Sequence, residues 1–129
     1  SVEASRAFNA ALVESGRMEI LHGSVENLPF ADAHFDAAVT VESFYFWPNP
    51  EACLKEVARV VKPGGTFLLL AEIYERDDLP AETRAKIAGY QLTNPTPEEF
   101  ERLFRAAGFA AVETHFKDGA YWIAVRGVR

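Results

Sequence analysis

Apolar residues along this chain recur in two spacings, one helical and one nearly continuous, and their alternation sets out the elements. From Val2 to Glu14 the residues Val2, Ala4, Phe8, Ala11 and Leu12 fall on one helical face, and Gly16 suits its C-terminal cap. MEILH, Met18 to His22, predicts a short strand that ends at Gly23. A polar loop, GSVENLPFADAHFD, follows. Phe35 to Val41 is a nearly unbroken apolar run with β-branched residues, the pattern of a strand buried on both faces. Asn49 reads as an N-cap and Pro50 as the first helical residue, before a stripe of Cys53, Leu54, Val57 and Val61.

Lys62-Pro63-Gly64-Gly65 stops that helix, with Pro63 and Gly64 suited to the centre of a type II turn. Thr66 to Glu72 is the next buried strand, and Ala81 to Leu92 reads as a helix that could act as a lid. Thr96-Pro97-Glu98-Glu99 combines a capping threonine, a first-position proline and a glutamate three residues on. Its helix carries Phe100, Leu103, Phe104 and Ala107 and ends at Gly108. Ala111–Phe116 and Tyr121–Arg126 form a closing hairpin around Lys117-Asp118-Gly119. Helices alternating with strands predict an α/β domain with a mostly parallel sheet and one antiparallel strand. In such sheets ligands bind beyond the carboxyl ends of strands, which singles out Gly23–Phe30, Glu42–Trp47 and Glu72–Glu75.

Composition narrows the reading further. The chain is one domain's worth at 129 residues, and its net charge of −6 argues against a general nucleic-acid or membrane-surface binder, which would need a basic face. Cys53 is the only cysteine and lies on the helical stripe, which makes it a core residue and excludes an internal disulfide. No apolar run is long enough to span a bilayer, and the first residues lack a signal-peptide layout. A reducing, cytoplasmic setting is the expectation. His22, His34 and His115 show no metal-ligand spacing, and neither a phosphate-binding glycine loop nor a nucleophile elbow is present.

The segment GSVENLPFADAHFDAAVTVESFYFWPNPEACLKEVARVVKPGGTFLLLAE resembles the class I S-adenosylmethionine-dependent methyltransferases. It looks most like their small-molecule branch related to the ubiquinone and menaquinone-biosynthesis enzymes. The loop ending in LPF, the strand start FDAAV, the helix end EVARVVKPGG and the strand after it match in order and spacing. The AAGF turn and final hairpin match as well. The resemblance implies a Rossmann-like sheet, S-adenosylmethionine as cofactor, and methyl transfer to a small-molecule acceptor. It puts Ser24 and Val25 at the adenine, with serine standing where the family carries an acid. It puts Glu42 among the cofactor contacts and Tyr45 and Trp47 in the acceptor pocket. Phe44 and Phe46 are expected to pack a helix on the sheet, Asp36 to organise the loop-to-strand junction, and Lys62–Gly65 to be structural. Glu42, Tyr45 and His115 are candidate bases, should the acceptor lose a proton.

The family's first strand, its glycine-rich loop and the acid ending its second strand have no counterpart here; Gly64-Gly65 is the only glycine pair. The expectation is therefore a partial domain over 1–129, lacking the first strand–helix–strand unit and inactive alone. Met18–His22 and Phe35–Val41 should flank the gap, either pairing directly or leaving edges that a homodimer or strand swap fills. A non-catalytic interaction or assembly module is the alternative, and a dinucleotide-binding domain lacks its own fingerprint.

Overall fold

The computed structural model describes residues 1–129. Its elements are α1 (Val2–Phe8), α2 (Ala10–Glu14), β1 (Phe35–Val41), α3 (Pro50–Val60), β2 (Val61–Ala71), α4 (Ala81–Gly89), α5 (Pro97–Ala107), β3 (Ala111–Phe116) and β4 (Ile123–Val128). A single turn of 3₁₀ helix at Phe44–Phe46 lies between β1 and α3. The sheet runs β1-β2-β4-β3. β1 and β2 are parallel, joined through α3, and β4 is antiparallel to both β2 and β3. Three strands thus run one way and β4 alone the other, as expected of an α/β domain closed by a hairpin.

α3 and α5 cover one face of this sheet. Asn49 caps α3 by accepting from Ala52 N–H at 3.1 Å, and Cys53, Leu54, Val57, Ala58 and Val60 are its buried stripe. In α5 the Thr96 hydroxyl accepts from Glu99 N–H while the Glu99 carboxylate accepts from Thr96 N–H, a reciprocal cap. Phe100 and Phe104 then face inward, against Phe67, Phe109, Ile123 and Val125. Ala38 and Thr40 share this covered face with Phe67 and Leu69 through the β1–β2 register. Val39 and Val41 point the opposite way and are 62% and 58% exposed, so only one face of the sheet is buried. The two-sided burial expected of Phe35–Val41 does not hold, because no helix lies over its second face.

Four further expectations are corrected. Met18–His22 forms no strand, because no neighbour offers it a ladder; its Ile20 carbonyl accepts from the Arg6 guanidinium instead. It therefore pairs neither with β1 nor with any other strand, and β1 is left as an edge. The first helix breaks at Asn9, whose side-chain amide donates to Ser5 C=O at 2.9 Å and competes with the helical ladder. The lid helix stops at Gly89 rather than Leu92, and β4 begins and ends two residues later than expected. The Pro63-Gly64 turn is present, with Gly64 at φ +81°, and sits as an irregularity inside the first residues of β2.

Candidate functional site

β1 and β2 end side by side, and the last rung of their ladder is Glu42 N–H donating to Leu70 C=O at 3.0 Å. Glu42 then turns the chain through φ +54°, a left-handed conformation that costs a non-glycine residue of order 1 kcal/mol. The turn carries its carboxylate across to β2. Oε1 accepts from the Tyr45 hydroxyl at 3.0 Å and from Glu72 N–H. The Tyr45 oxygen in turn accepts from Ile73 N–H at 3.2 Å. Both strand ends are thereby tied through one carboxylate and one phenol, and Oε2 of Glu42 keeps no partner within the chain. Burial, reinforced by the Glu42 carboxylate, pushes the Tyr45 phenol well above its ordinary range. Tyr45 is a neutral donor at physiological pH. Its geometry fits a group that positions Glu42 and does not fit a base.

Glu42, Leu70, Ala71, Glu72 and Trp122 line a cavity of about 500 Å³ at these strand ends. Trp122 escaped the sequence reading as a site residue, and Glu72 entered it only as the first residue of the Glu72–Glu75 strand-end loop. Trp122 was visible only as an aromatic in the closing hairpin; its meeting with Glu72 depends on β4 lying next to β2. On the other side of Glu42 and Tyr45, a cavity of about 360 Å³ is bounded by Ile73 and by Thr83, Lys86, Tyr90 and Leu92. α4 is held over it by Arg84, which pairs with Glu75 at 2.9 Å and donates to Arg76 C=O at 2.6 Å. Arg76 itself lies over the Tyr74 and Tyr121 rings and pairs with Asp78, fastening the segment to the hairpin.

The other predicted residues fall elsewhere. Trp47 is buried against Phe44 and shares a small apolar cavity of about 270 Å³ with Val25 and Leu28, beneath the loop and alongside Thr40 and Ser43 at the end of β1. Phe44 packs in the core, whereas Phe46 is 70% exposed and packs no helix. Ser24 closes its own turn, accepting from Glu26 N–H and donating to the Glu26 carboxylate, both at 3.2 Å. Asp36 pairs with Lys62 at 3.0 Å across the starts of β1 and β2, in accord with a role at that junction. His115 lies on β3, exposed and beside Glu113 at 3.5 Å. Two strands separate β3 from β1, roughly 14 Å at ordinary strand spacing, so the sheet does not bring His115 to Glu42.

The loop wall at Leu28–Asp32 is pinned by residues the sequence reading passed over. Glu56 accepts from Leu28 N–H at 2.8 Å and from the Arg59 guanidinium. Arg59 donates to the carbonyls of Phe30 at 2.7 Å and Leu28 at 3.1 Å, and to Asp32 at 2.9 Å. Hydrogen bonding to Arg59 holds the Glu56 carboxyl below the usual carboxylate range against the desolvation that opposes it. A carboxylate with a depressed folded pKa contributes stability above its unfolded value, about 4.3 for glutamate, and loses it as pH falls through the folded value. Urea unfolding stepped from pH 7 into that acid window should show a decline in stability that Glu56→Gln makes shallower. Curves of equal slope for the two proteins would show that this clamp is not linked to acid unfolding.

A family model described as a methyltransferase domain matches residues 1–69. A fatty-acid O-methyltransferase of Mycolicibacterium smegmatis is 43% identical over 68 residues, 53% of this chain and 24% of the relative. The chloroplastic 2-methyl-6-phytyl-1,4-hydroquinone methyltransferase of Spinacia oleracea is 32% identical over 111 residues, 85% of this chain and 30% of the relative. The chain thus spans about a quarter to a third of the length of these curated relatives. The crystal structure of a SAM-dependent methyltransferase from Thermotoga maritima matches with a TM-score of 0.72 at 26% identity, over 92% of this chain and 68% of that one. No helix of the chain is long and apolar enough to cross a membrane.

Proposed function

Because the chain belongs to the class I S-adenosylmethionine-dependent methyltransferase family, we propose that its function is methyl transfer from S-adenosylmethionine to a small-molecule acceptor. The observation that carries this reading is the Glu42 carboxylate, held at the carboxyl ends of two parallel strands by Tyr45 and Glu72. Residues 1–129 fit one side of the donor. The unpaired Oε2 of Glu42 can accept from the donor's ammonium or from an acceptor hydroxyl, and Trp122 and Leu70 give that carboxylate an apolar wall. Tyr45 orients Glu42, and the apolar hollow beneath Val25 and Trp47 supports the loop that Ser24 opens. When bound, S-adenosylmethionine supplies a methyl group already activated on a sulfonium, so transfer asks chiefly for alignment. Glu42 takes up a proton only if the acceptor must release one; His115 has no part.

The other side of the donor is not held by these residues. A glycine-rich strand-end loop lets backbone approach such a ligand, and here the paired glycines stand at the amino end of β2. Residues 1–129 by themselves are therefore proposed to bind the donor weakly and to be inactive, in a cytoplasmic protein that needs the missing unit for turnover. Self-association through the unpaired sheet edge belongs to the same reading. The second reading, a non-catalytic assembly module, is favoured by that open edge alone.

Titration of the 129-residue chain with S-adenosylhomocysteine, read by amide chemical shifts, separates these. The expected result is a dissociation constant weaker than roughly 1 mM, which corresponds to less than about 4 kcal/mol of binding free energy. The shifts should gather at Gly23–Val25, Glu42–Tyr45 and Glu72–Ile73, and Glu42→Gln should diminish them. Shifts confined to other surfaces would overturn the site. Micromolar affinity would overturn the account of a half-built pocket.

A further inference from the structure

The cavity of about 360 Å³ between the strand ends and α4 has walls of unlike charge. Its floor is Glu42, Tyr45, Glu72 and Ile73, and its roof is the inward face of α4. Thr83, Lys86 and Tyr90 stand at i, i+3 and i+7 on that helix and so share one face. α4 buries no residue, so this face meets the cavity and not a core. All of the lining falls between Glu42 and Leu92, and the same stretch fastens it. Arg84 ties α4 to Glu75 and to Arg76 C=O, and Thr93 N–H donates to Tyr45 C=O at 3.1 Å. The volume is that of a small-molecule site, a range that begins at about 300 Å³.

The polar groups around this space are incompletely matched. On the floor, Oε1 of Glu42 accepts from the Tyr45 hydroxyl and from Glu72 N–H, while Oε2 and the Glu72 carboxylate have no partner within the chain. On the roof, the Lys86 ammonium pairs with neither carboxylate; its partner is Glu82, one turn back on α4, at 3.2 Å. Both side chains of that pair are mostly exposed, and such pairs hold weakly. Two carboxylates and a cation thus face one space without closing on each other. Ile73 and Leu92 line its apolar sides, and the Tyr90 ring, mostly exposed, offers a flat face. We propose that the cavity takes a small ring-bearing molecule with a hydroxyl at one end and a carboxylate at the other. The hydroxyl donates to Glu42, and the carboxylate is held by Lys86 and the Thr83 hydroxyl. A carboxylate turned to the floor would meet two like charges, so repulsion fixes the orientation as firmly as attraction does. The hydroxyl is the end presented at the strand ends. This deepens the methyl-transfer reading and rests on it only in calling the molecule the methyl acceptor.

Amide-shift titrations of the 129-residue chain with 4-hydroxyphenylacetate, and with its halves 4-methylphenol and phenylacetate, test it with no donor present. 4-Hydroxyphenylacetate should bind about three- to fivefold more tightly than either half, the effect of one partly exposed charged contact. The shifts should gather at Tyr45, Ile73, Thr83 and Lys86. Lys86→Gln should erase the advantage of 4-hydroxyphenylacetate over 4-methylphenol and leave 4-methylphenol itself unchanged, whereas Lys86→Arg should keep it. The Lys86 side chain is mostly exposed, so both variants should retain their circular dichroism. Salt at about 1 M should shrink the same advantage, because the screening length there is only about 3 Å. Equal affinity for the three compounds, an advantage that survives Lys86→Gln, or shifts gathered outside this cavity would overturn the proposal. So would the absence of any shift at about 10 mM of each compound. A negative S-adenosylhomocysteine titration with this selectivity intact would sink the methyl-transfer reading and leave the polarity of the cavity standing.

Discussion

Replacing Phe104 with alanine should lower the unfolding free energy by about 3–5 kcal/mol. Phe104 is fully buried on α5, stacked on Phe67 at 5.3 Å and tilted against Phe109 at 5.4 Å. Removing the ring deletes its transfer free energy and leaves a cavity among two aromatics that backbone holds in place. The loss is a large share of the roughly 5–15 kcal/mol that a domain has, and this chain buries only one sheet face. Urea unfolding followed by tryptophan fluorescence should show the midpoint falling by roughly 2 M for a slope of typical size. A shift under about 0.5 M would mean that α5 does not organise this core.

Adding atoms at the same place should also be costly. A Cβ at Gly127 would lie 2.8 Å from Cδ1 of Phe104 and 2.9 Å from Cβ of Phe109. Gly127 sits in β4 opposite Phe67 and Val112, where the rings of α5 and its exit turn rest directly on strand backbone. Neither neighbour is the loose end of a flexible chain, so Gly127→Ala should destabilise by about 1–3 kcal/mol as α5 is pushed outward. The restricted unfolded chain offsets this by a few tenths to about 1 kcal/mol. The pair is coupled: in the Phe104→Ala background the methyl group gains part of the room it needs, and Gly127→Ala should cost less there. Strict additivity across the four proteins would show that the close approach to Phe104 is not what excludes a side chain.

Much of the architecture was legible because it is written locally. The reciprocal cap at Thr96 and Glu99, the proline starts at Pro50 and Pro97, and the stripes of α3 and α5 each follow from short-range spacing. So do β1, β3 and the direction of the final hairpin. Met18–His22 shows where such reading fails. Its pattern is that of a strand, but a strand exists only when another backbone pairs with it, and none does here. Phe46 fails for the same kind of reason, since a run of aromatics does not say which of them a short turn will leave in water.

The site divides along the same line. The sequence by itself determined that Glu42 and the Glu72 segment stand at the carboxyl ends of strands, that Phe44 and Cys53 belong to the core, and that no helix is long and apolar enough to cross a membrane. Only the tertiary structure decided that Glu42 accepts from Tyr45 and from Glu72 N–H, that Trp122 joins them, and that His115 lies too far away. It also decided that Arg59 and Glu56 clamp the loop, and that β1 is an edge. The physical reason is range. Caps and periodicities are settled within a few residues, whereas strand order, and with it every contact between strand ends, is settled by pairings that no local spacing encodes.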